Sequence, residues 1–555
     1  MLHIGNIANN AYNNAKLLND AGFDCDVLCY DYYHIMGCPE WEDADFSGSP
    51  GDDFFPEWWK VDAGGFERPR WFAQGPMPVA LDYLLARRQG HPLRAERLWH
   101  ALAHRNGVKP PRQVHTPEWL SRGAQSYVST HLKPALRLPT PRQIARGLQF
   151  YAKSLLTTET LFARMQQKFS HLAEGRLPAR LAYLAIIIGA AASSAVLQVL
   201  HVPVGVLKRP ARARENARLV FLAQRFAESF PDRADAMERL DLWHYELSLP
   251  AMRRLLECYD VVQGYSTDPA WPMLAGRPYF AFEHGTLRSI PFQTDAIGRL
   301  TTLSYHLAEH VFVTNHDCLE NAHRLAGERV TFINHPFDEA HGEGVADSEA
   351  LRAALLEQLD ADFLFFHPTR HDWVPGTGYA DKANDVFLRA FAELRRRGLR
   401  VGLLCCAWGS NVEQSKALVA ASGCERYVEW TPPMGTVRFE RTTLAADCVV
   451  DQFKLGAFGG VMFKAIAVGR AVCTYLDEAT LSLRYREAPP VINCHSEEEI
   501  VEAMTHLIGE RSALHAIGER AKAWMRAHHA SADTVELQAR RYLDYLMPET
   551  QCARV

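Results

Sequence analysis

Leu2-His3-Ile4-Gly5, Asn6-Ile7-Ala8-Asn9-Asn10 and, after a helical stretch, Asp26-Val27-Leu28-Cys29-Tyr30 are the runs from which the fold is read. Leu2 to Gly5 predicts a short buried strand and Asn6 to Asn10 a turn of small residues. Positions 11 to 21 predict a helix that Gly22 would stop, and Asp26 to Tyr30 a second strand. A strand, a helix and a second strand build a parallel sheet, with ligands at the C-terminal strand ends. The opening is Rossmann-like, although it lacks G-x-G-x-x-G. Glycine and small side chains permit close backbone approach, so Gly5, Asn9 and Asn10 are candidate ligand contacts facing a cleft.

Outward from this unit the pattern dissolves into an aromatic, acidic segment, Tyr32 to Asp53. A mostly helical stretch follows, giving an expected insertion over about 45–255. Strand-like runs return at Asp260 to Gly264 and at Pro278 to Phe282, which leads into Glu283-His284-Gly285. Val311 to Thr314, a helix near 317–325 and Val330 to Ile333 then close a first domain at Asn334 to Asp338, with 334–348 as linker. A second alternation starts at Phe363-Leu364-Phe365-Phe366 and continues through helices near 382–397 and 411–422 and a strand near 400–406, to about 510. The expected fold is α/β: two Rossmann-like doubly wound domains, 1–340 and 341–525, facing a cleft, with 526–555 returning as a helix to the first domain.

Composition narrows the function classes. A net charge of -5 gives no drive toward nucleic acid, and 48% hydrophobic with 23% charged residues suits a globular chain. The twelve cysteines, several in apolar runs, read as packed thiols without zinc-ligand spacing. Met1 to Gly5 reads as a strand and not a secretory leader, which makes a cytoplasmic location the expectation. Residues 181–207 contain no Asp, Glu, Lys or Arg and precede Lys208, Arg209, Arg212, Arg214 and Arg218. A buried helix, or peripheral contact of 181–218 with the inner face of a membrane, are the two readings.

The second half carries the chemistry. The strand at Phe363 ends in His367-Pro368-Thr369-Arg370, and Lys382 opens the next helix. A strand-end cation and a helix-start cation beside free backbone amides make a pyrophosphate cradle; the plain alternative is a surface pair. Asp451-Gln452-Phe453 precedes Gly456-Ala457-Phe458-Gly459-Gly460, then a helix through Lys464-Ala465 to Gly469, then Ala471-Val472-Cys473-Thr474-Tyr475. Glycines let a ligand approach that helix start, although ordinary β-α turns share the pattern.

Together these runs resemble the family-4 retaining glycosyltransferases of GT-B fold. That family's second domain has an Arg and then a Lys-Gly, where this chain has Arg370 and Lys382-Ala383. Its signature E-G-F-G-x-x-x-x-E-A-M-A-x-G-x-P-V is matched by Gly456-Ala457-Phe458-Gly459 and Lys464-Ala465-Ile466-Ala467-Val468-Gly469-Arg470-Ala471-Val472. Phe282-Glu283-His284-Gly285 is similar to the strand ending in a His near the sugar, and Asn334 to Asp338 to the N-G-V-D exit. The resemblance implies metal-independent transfer from a UDP- or GDP-type sugar to a glycan or glycolipid of bacterial surface polysaccharide, with no further cofactor. His284, Arg370 and Lys382 would be catalytic, and Gly5, Asn9, Asn10, Asp451, Gly456, Phe458, Gly459, Gly460 and Lys464 would bind the donor.

The departure is that Gly456 and Lys464 replace both signature glutamates. Either Lys464 takes a phosphate or sugar carboxylate while Asp451 binds hydroxyls, or the chain is catalytically silent and binds nucleotide sugar or glycan as a regulator or scaffold. Tyr32, His34, Glu40 and Trp41, from the segment rich in rings and carboxylates, form an expected acceptor wall. Trp58-Trp59 is expected to pack the insertion, and His528-His529 to be solvated.

Overall fold

The computed structural model describes residues 1–105, 209–340, 348–375, 381–482, 485 and 487–547. The first sheet contains β1 (Leu2–Ile4), β2 (Asp26–Tyr30), β3 (Phe72–Gly75), β4 (Val262–Tyr265), β5 (Phe280–Phe282), β6 (His310–Val313) and β7 (Val330–Phe332), in the order β3-β2-β1-β4-β5-β6-β7. The second contains β8 (Phe363–His367), β9 (Val401–Cys406), β10 (Val428–Thr431), β11 (Cys448–Val450), β12 (Ala471–Thr474) and β13 (Ile492–Asn493), in the order β10-β9-β8-β11-β12-β13. All pairings in both are parallel. The chain reverses direction across the sheet between β1 and β4, and again between β8 and β11. Those are the points at which a doubly wound sheet opens a ligand crevice. The molecule is α/β with two doubly wound domains and a cavity between them, the GT-B arrangement.

Strands covered on both faces read as continuous apolar runs. Phe363 and Phe365 pack on Phe387, Phe391 and Leu394 of the helix Asn384–Arg396, while Leu364 and Phe366 share the opposite cluster with Leu355, Phe439 and Trp524. In the first domain Leu2, Ile4 and Leu28 pack with the helix Met77–Arg88, while Val27 and Cys29 pack with Ala11, Ala15 and Leu18 of the helix Asn10–Asp20. Of the cysteines among the described residues all but Cys258 are buried, and all are free.

The expected helical insertion contains a strand. β3 pairs with β2 from Val27↔Phe72 to Tyr30↔Gly75 and is the sheet's edge. Phe72-Ala73-Gln74-Gly75 is too short for a period to show, and its buried Gln74 breaks the apolar run. That glutamine donates from Nε2 to Tyr32 O (2.9 Å) and accepts from Arg68 Nη1 (2.6 Å), tying the strand to the aromatic segment. Residues 181–207 of the expected buried or membrane-contacting stretch, and 341–347 of the expected linker, lie outside the described residues. Among the described residues no helix is long and apolar enough to cross a membrane.

The helix Ser531–Leu546 lies on the first sheet. Its Gln538 donates from Nε2 to Asn14 Oδ1 (2.9 Å), and the Tyr542 hydroxyl donates to Gln263 Oε1 (2.7 Å). Gln263 and Asn14 both donate to the Tyr265 hydroxyl (2.8 and 2.9 Å), which also meets His3 Nδ1 at 2.8 Å. A buried network of this kind specifies one docking geometry, because each unmet partner costs free energy. His529, expected to be solvated, is buried with its ring 4.2 Å from that of Phe463.

Candidate functional site

His367 at the end of β8 organises the switch point of the second sheet. Its Nδ1 donates to Val450 O of β11 (3.1 Å) and its Nε2 accepts from Asn384 Nδ2 (3.0 Å). That fixes one neutral tautomer, and burial lowers its pKa to about 4. The following turn is laced in place: Trp408 Nε1 donates to Pro368 O (2.7 Å), Ser410 N to Asp372 Oδ1 (2.8 Å), and Lys382 N to Asp372 O (2.6 Å). Arg370 and Lys382 are therefore presented by backbone that is hydrogen-bonded on either side. Arg370 reaches Asp372 only at 3.6 Å and stays half-exposed, while Lys382 Nζ donates to Gln452 Oε1 (2.6 Å).

Asp451, one residue beyond β11, accepts from Thr369 Oγ1 at Oδ1 (3.0 Å), while its buried Oδ2 has no hydrogen-bond partner among the described residues. Burial raises its pKa, offset in part by Lys382. Burial lowers Lys382; Asp451 opposes this, and the charges of Arg370 and of Arg288 from the first domain add to it. Positive groups that repel one another around a desolvated spot gain most when an anion arrives. Gly459 closes over Asp451 so tightly that a Cβ there would overlap Oδ2, and the helix Gly460–Ala467 starts at the next residue. Gly456 has φ +67° and packs on Tyr475 and Asp477. A side chain in the place of the resemblance's first glutamate would be both strained and obstructed.

A cavity of about 220 Å³ lies here. Its polar lining is Thr369, Arg370, Lys382, Thr436, Asp451 and Lys464 with Gly459 and Gly460; its apolar lining includes Met36, Trp41, Trp408, Met434 and Phe439. Of the candidate residues, Arg370, Lys382, Asp451, Gly459, Gly460, Lys464 and Trp41 come together in it. Gly456 does not line it, and Phe458 turns into an aromatic cluster with Phe463, Tyr485 and Trp524.

The first-domain candidates sit at the strand ends across the cleft. Asn9 is buried, donating to Cys38 O (2.9 Å) and accepting from Asn6 Nδ2 (3.1 Å), and Gly5 packs on Asp268. Asn10 Nδ2 approaches His284 Nδ1 at 3.2 Å, and burial followed by Arg288 lowers His284 to about 4, leaving a neutral ring. In the aromatic segment, Tyr32 covers Gly37, and His34 accepts from Met36 N (3.2 Å). Glu40 is turned inward, in a buried two-pronged ion pair with Arg68 (3.0 and 2.6 Å).

The segment crosses to the second domain. Lys464 Nζ donates to Glu42 Oε1 (3.2 Å) and to the Thr436 hydroxyl, Arg441 pairs with Asp45 (2.6 Å), and Gly435 fits beneath Phe46 and the Trp41 carbonyl. Met36, Trp408, Met434, Thr436, Phe439 and Arg288 belong to the site or its field and escaped the sequence reading. The only signal for them was position just past a strand or on the helix that follows one.

No family model matches the chain. A D-inositol 3-phosphate glycosyltransferase of Nocardia farcinica is 32% identical over 151 residues, 26% of this chain and 33% of the relative. The match thus spans a third of that relative's length. Among solved structures, Anabaena HepE in complex with UDP and glucose has a TM-score of 0.43 at 15% identity, over 54% of this chain and 82% of that one. Sucrose-phosphate synthase of Thermosynechococcus elongatus has 0.39 at 13% identity, over 56% and 80%. Staphylococcus aureus TarM has 0.40 at 13%, over 53% and 58%. At these scores and identities the fold rests on the strand order itself.

Proposed function

We propose that the protein is a glycosyltransferase that moves a sugar from a nucleotide-diphosphate sugar of UDP or GDP type to a glycan or glycolipid acceptor. The observation that carries this reading is the cavity at the second sheet's switch point, where Arg370, Lys382 and the start of the helix Gly460–Ala467 meet an apolar lining of Trp408, Met434 and Phe439. The cations and helix amides suit a diphosphate and the apolar lining a flat base. Charge grows on the departing diphosphate during transfer, so groups fixed around it lower the barrier. Neutral His284 contacts the sugar, Asp451 takes its hydroxyls, and the leaving phosphate accepts the acceptor's proton, so that transfer retains anomeric configuration without a metal. Surface polysaccharide assembly at the inner face of the membrane is the proposed setting, with 181–218 as the contact.

The Lys464–Glu42 pair favours a second reading, a silent nucleotide-sugar or glycan binder, because it occupies the lysine that would otherwise meet ligand. Turnover of a panel of UDP- and GDP-sugars separates the two. Calorimetry with UDP and GDP tests the site: Arg370→Ala and Lys382→Ala are each expected to weaken binding about tenfold or more with melting unchanged. Unchanged binding in both variants would remove the donor-site assignment. The product anomer read by NMR checks retention, and membrane fractionation checks the setting.

A further inference from the structure

Phe54 and Phe55 are 58% and 59% exposed, although Pro56 and Trp58 beside them are buried. Their backbone is held: Asp52 Oδ1 accepts from Phe54 N (2.8 Å) and Phe55 N (3.1 Å), and Ile35 N donates to Asp53 O (2.6 Å). Trp58 anchors the loop in a small core with Ile35, Cys38, Trp41, Ala44 and Phe46. The Phe54 ring meets His34 edge-on at 4.9 Å, and Phe55 lies 6.2 Å from Tyr33. His34 in turn accepts from the backbone of Met36, which lines the cavity. Burial lowers the pKa of His34, Asp53 opposes this, and the charge of Arg370 in the cavity wall adds to it. The aromatic pair is thus joined through His34 to Met36 of the cavity wall.

We propose that Phe54 and Phe55, supported by His34 and Tyr33, are a stacking platform for a sugar ring of a neutral saccharide acceptor. The proposal rests on the glycosyl-transfer reading. Aromatic faces suit the C–H face of a pyranose, and neighbouring carboxylates accept from its hydroxyls. The charge around the pair selects against the other occupant of an exposed aromatic surface, an anionic membrane. Glu40, Glu42, Asp43 and Asp45 are each paired with a cation, and Glu57 with Lys60, so the charge beside the rings is that of Asp52 and Asp53, which is net negative.

The test is saturation-transfer NMR on the whole chain with neutral gluco-, manno- and galacto-hexasaccharides, beside UDP and GDP calorimetry. At least one saccharide is expected to bind, Phe54→Ser with Phe55→Ser to weaken it roughly tenfold, and Phe55→Tyr to retain it, while nucleotide affinity and melting stay unchanged. Arg370→Ala with Lys382→Ala is expected to do the reverse, so failure of the donor site and failure of the platform are read separately. Three results each overturn the proposal: no saccharide bound, binding indifferent to the double serine variant, or phenylalanine-dependent sedimentation with phosphatidylglycerol vesicles in its place.

Discussion

Lys464 shows how far a single position can be understood from sequence. The register exposed the charge reversal at once, but its partner lies 422 positions away in the other domain and follows from no local pattern. Lys464→Glu alone would set two carboxylates against each other at a mostly buried contact and is expected to cost about 1–3 kcal/mol. The exchange Glu42→Lys with Lys464→Glu should recover most of it in a urea-melt double-mutant cycle. Ala383, where the resemblance has glycine, sits at φ +50°. Ala383→Gly is expected to stabilise by about 0.5–1 kcal/mol, seen as a raised melting temperature. Lys382 yields a pH prediction. Burial lowers its pKa and a bound diphosphate would raise it again, so binding takes up protons. Nucleotide affinity should therefore fall as pH rises from about 7 to about 10, and Lys382→Ala should flatten that profile in calorimetry.

At the level of elements, the glycine turn before the helix Gly460–Ala467 was legible because glycine has few reasons to be doubled at a strand end. The carboxylate beneath it, which makes Gly459 obligatory, needed coordinates. Gly459→Ala is expected to push the turn off Asp451 and abolish nucleotide binding, and Asp451→Ala in the same chain to restore space and part of the affinity, measured by titration. β3 escaped the sequence for a different reason: four residues around a buried glutamine contain no period to detect. The aromatic segment was visible by composition, but which of its members face inward is decided by partners. Arg68 claims Glu40 and the second domain claims Glu42, whereas Phe54 and Phe55 stay outside. In the helix Ser531–Leu546, Gln538→Leu should cost about 1–3 kcal/mol by leaving Asn14 and Tyr542 short of a partner.

For the whole molecule, the alternation of strands and helices gave the two-sheet plan because parallel strands announce themselves as apolar runs. The relation between the domains did not, since it depends on ion pairs and packing between residues hundreds of positions apart. The cavity between the domains, about 220 Å³, is smaller than the roughly 300–1,000 Å³ common for ligand pockets. Separation of the Trp41–Phe46 segment from the helix Thr436–Ala445 is therefore the expected entry step. Acid stability follows from the buried histidines. His3, His284, His310, His335, His367 and His371 are all lowered by burial, to about 3 to 4 where resolved. The unfolded chain binds more protons at these sites below its ordinary value of 6.5, so their contribution is complete above that pH and is lost on acidification toward the folded values. Asp268, Glu283 and Asp451 are raised by burial and act in the opposite sense, but are fewer. The melting temperature is expected to drop on going from about pH 7.5 to about pH 5, at roughly 1.4 kcal/mol per unit of unbalanced shift.

The hydrogen bond from Gln538 to Asn14 joins residues 524 positions apart. On a ribosome that separation is roughly half a minute to two minutes of synthesis. The first domain is thus the earlier half to emerge and the later half to be finished: the side-chain carbonyl oxygens of Gln263 and Asn14 wait for Tyr542 and Gln538 until the helix from Ser531 is made. A chain truncated after residue 530 should keep a protease-resistant second domain and an open first one, so that the domain translated first is the last to mature.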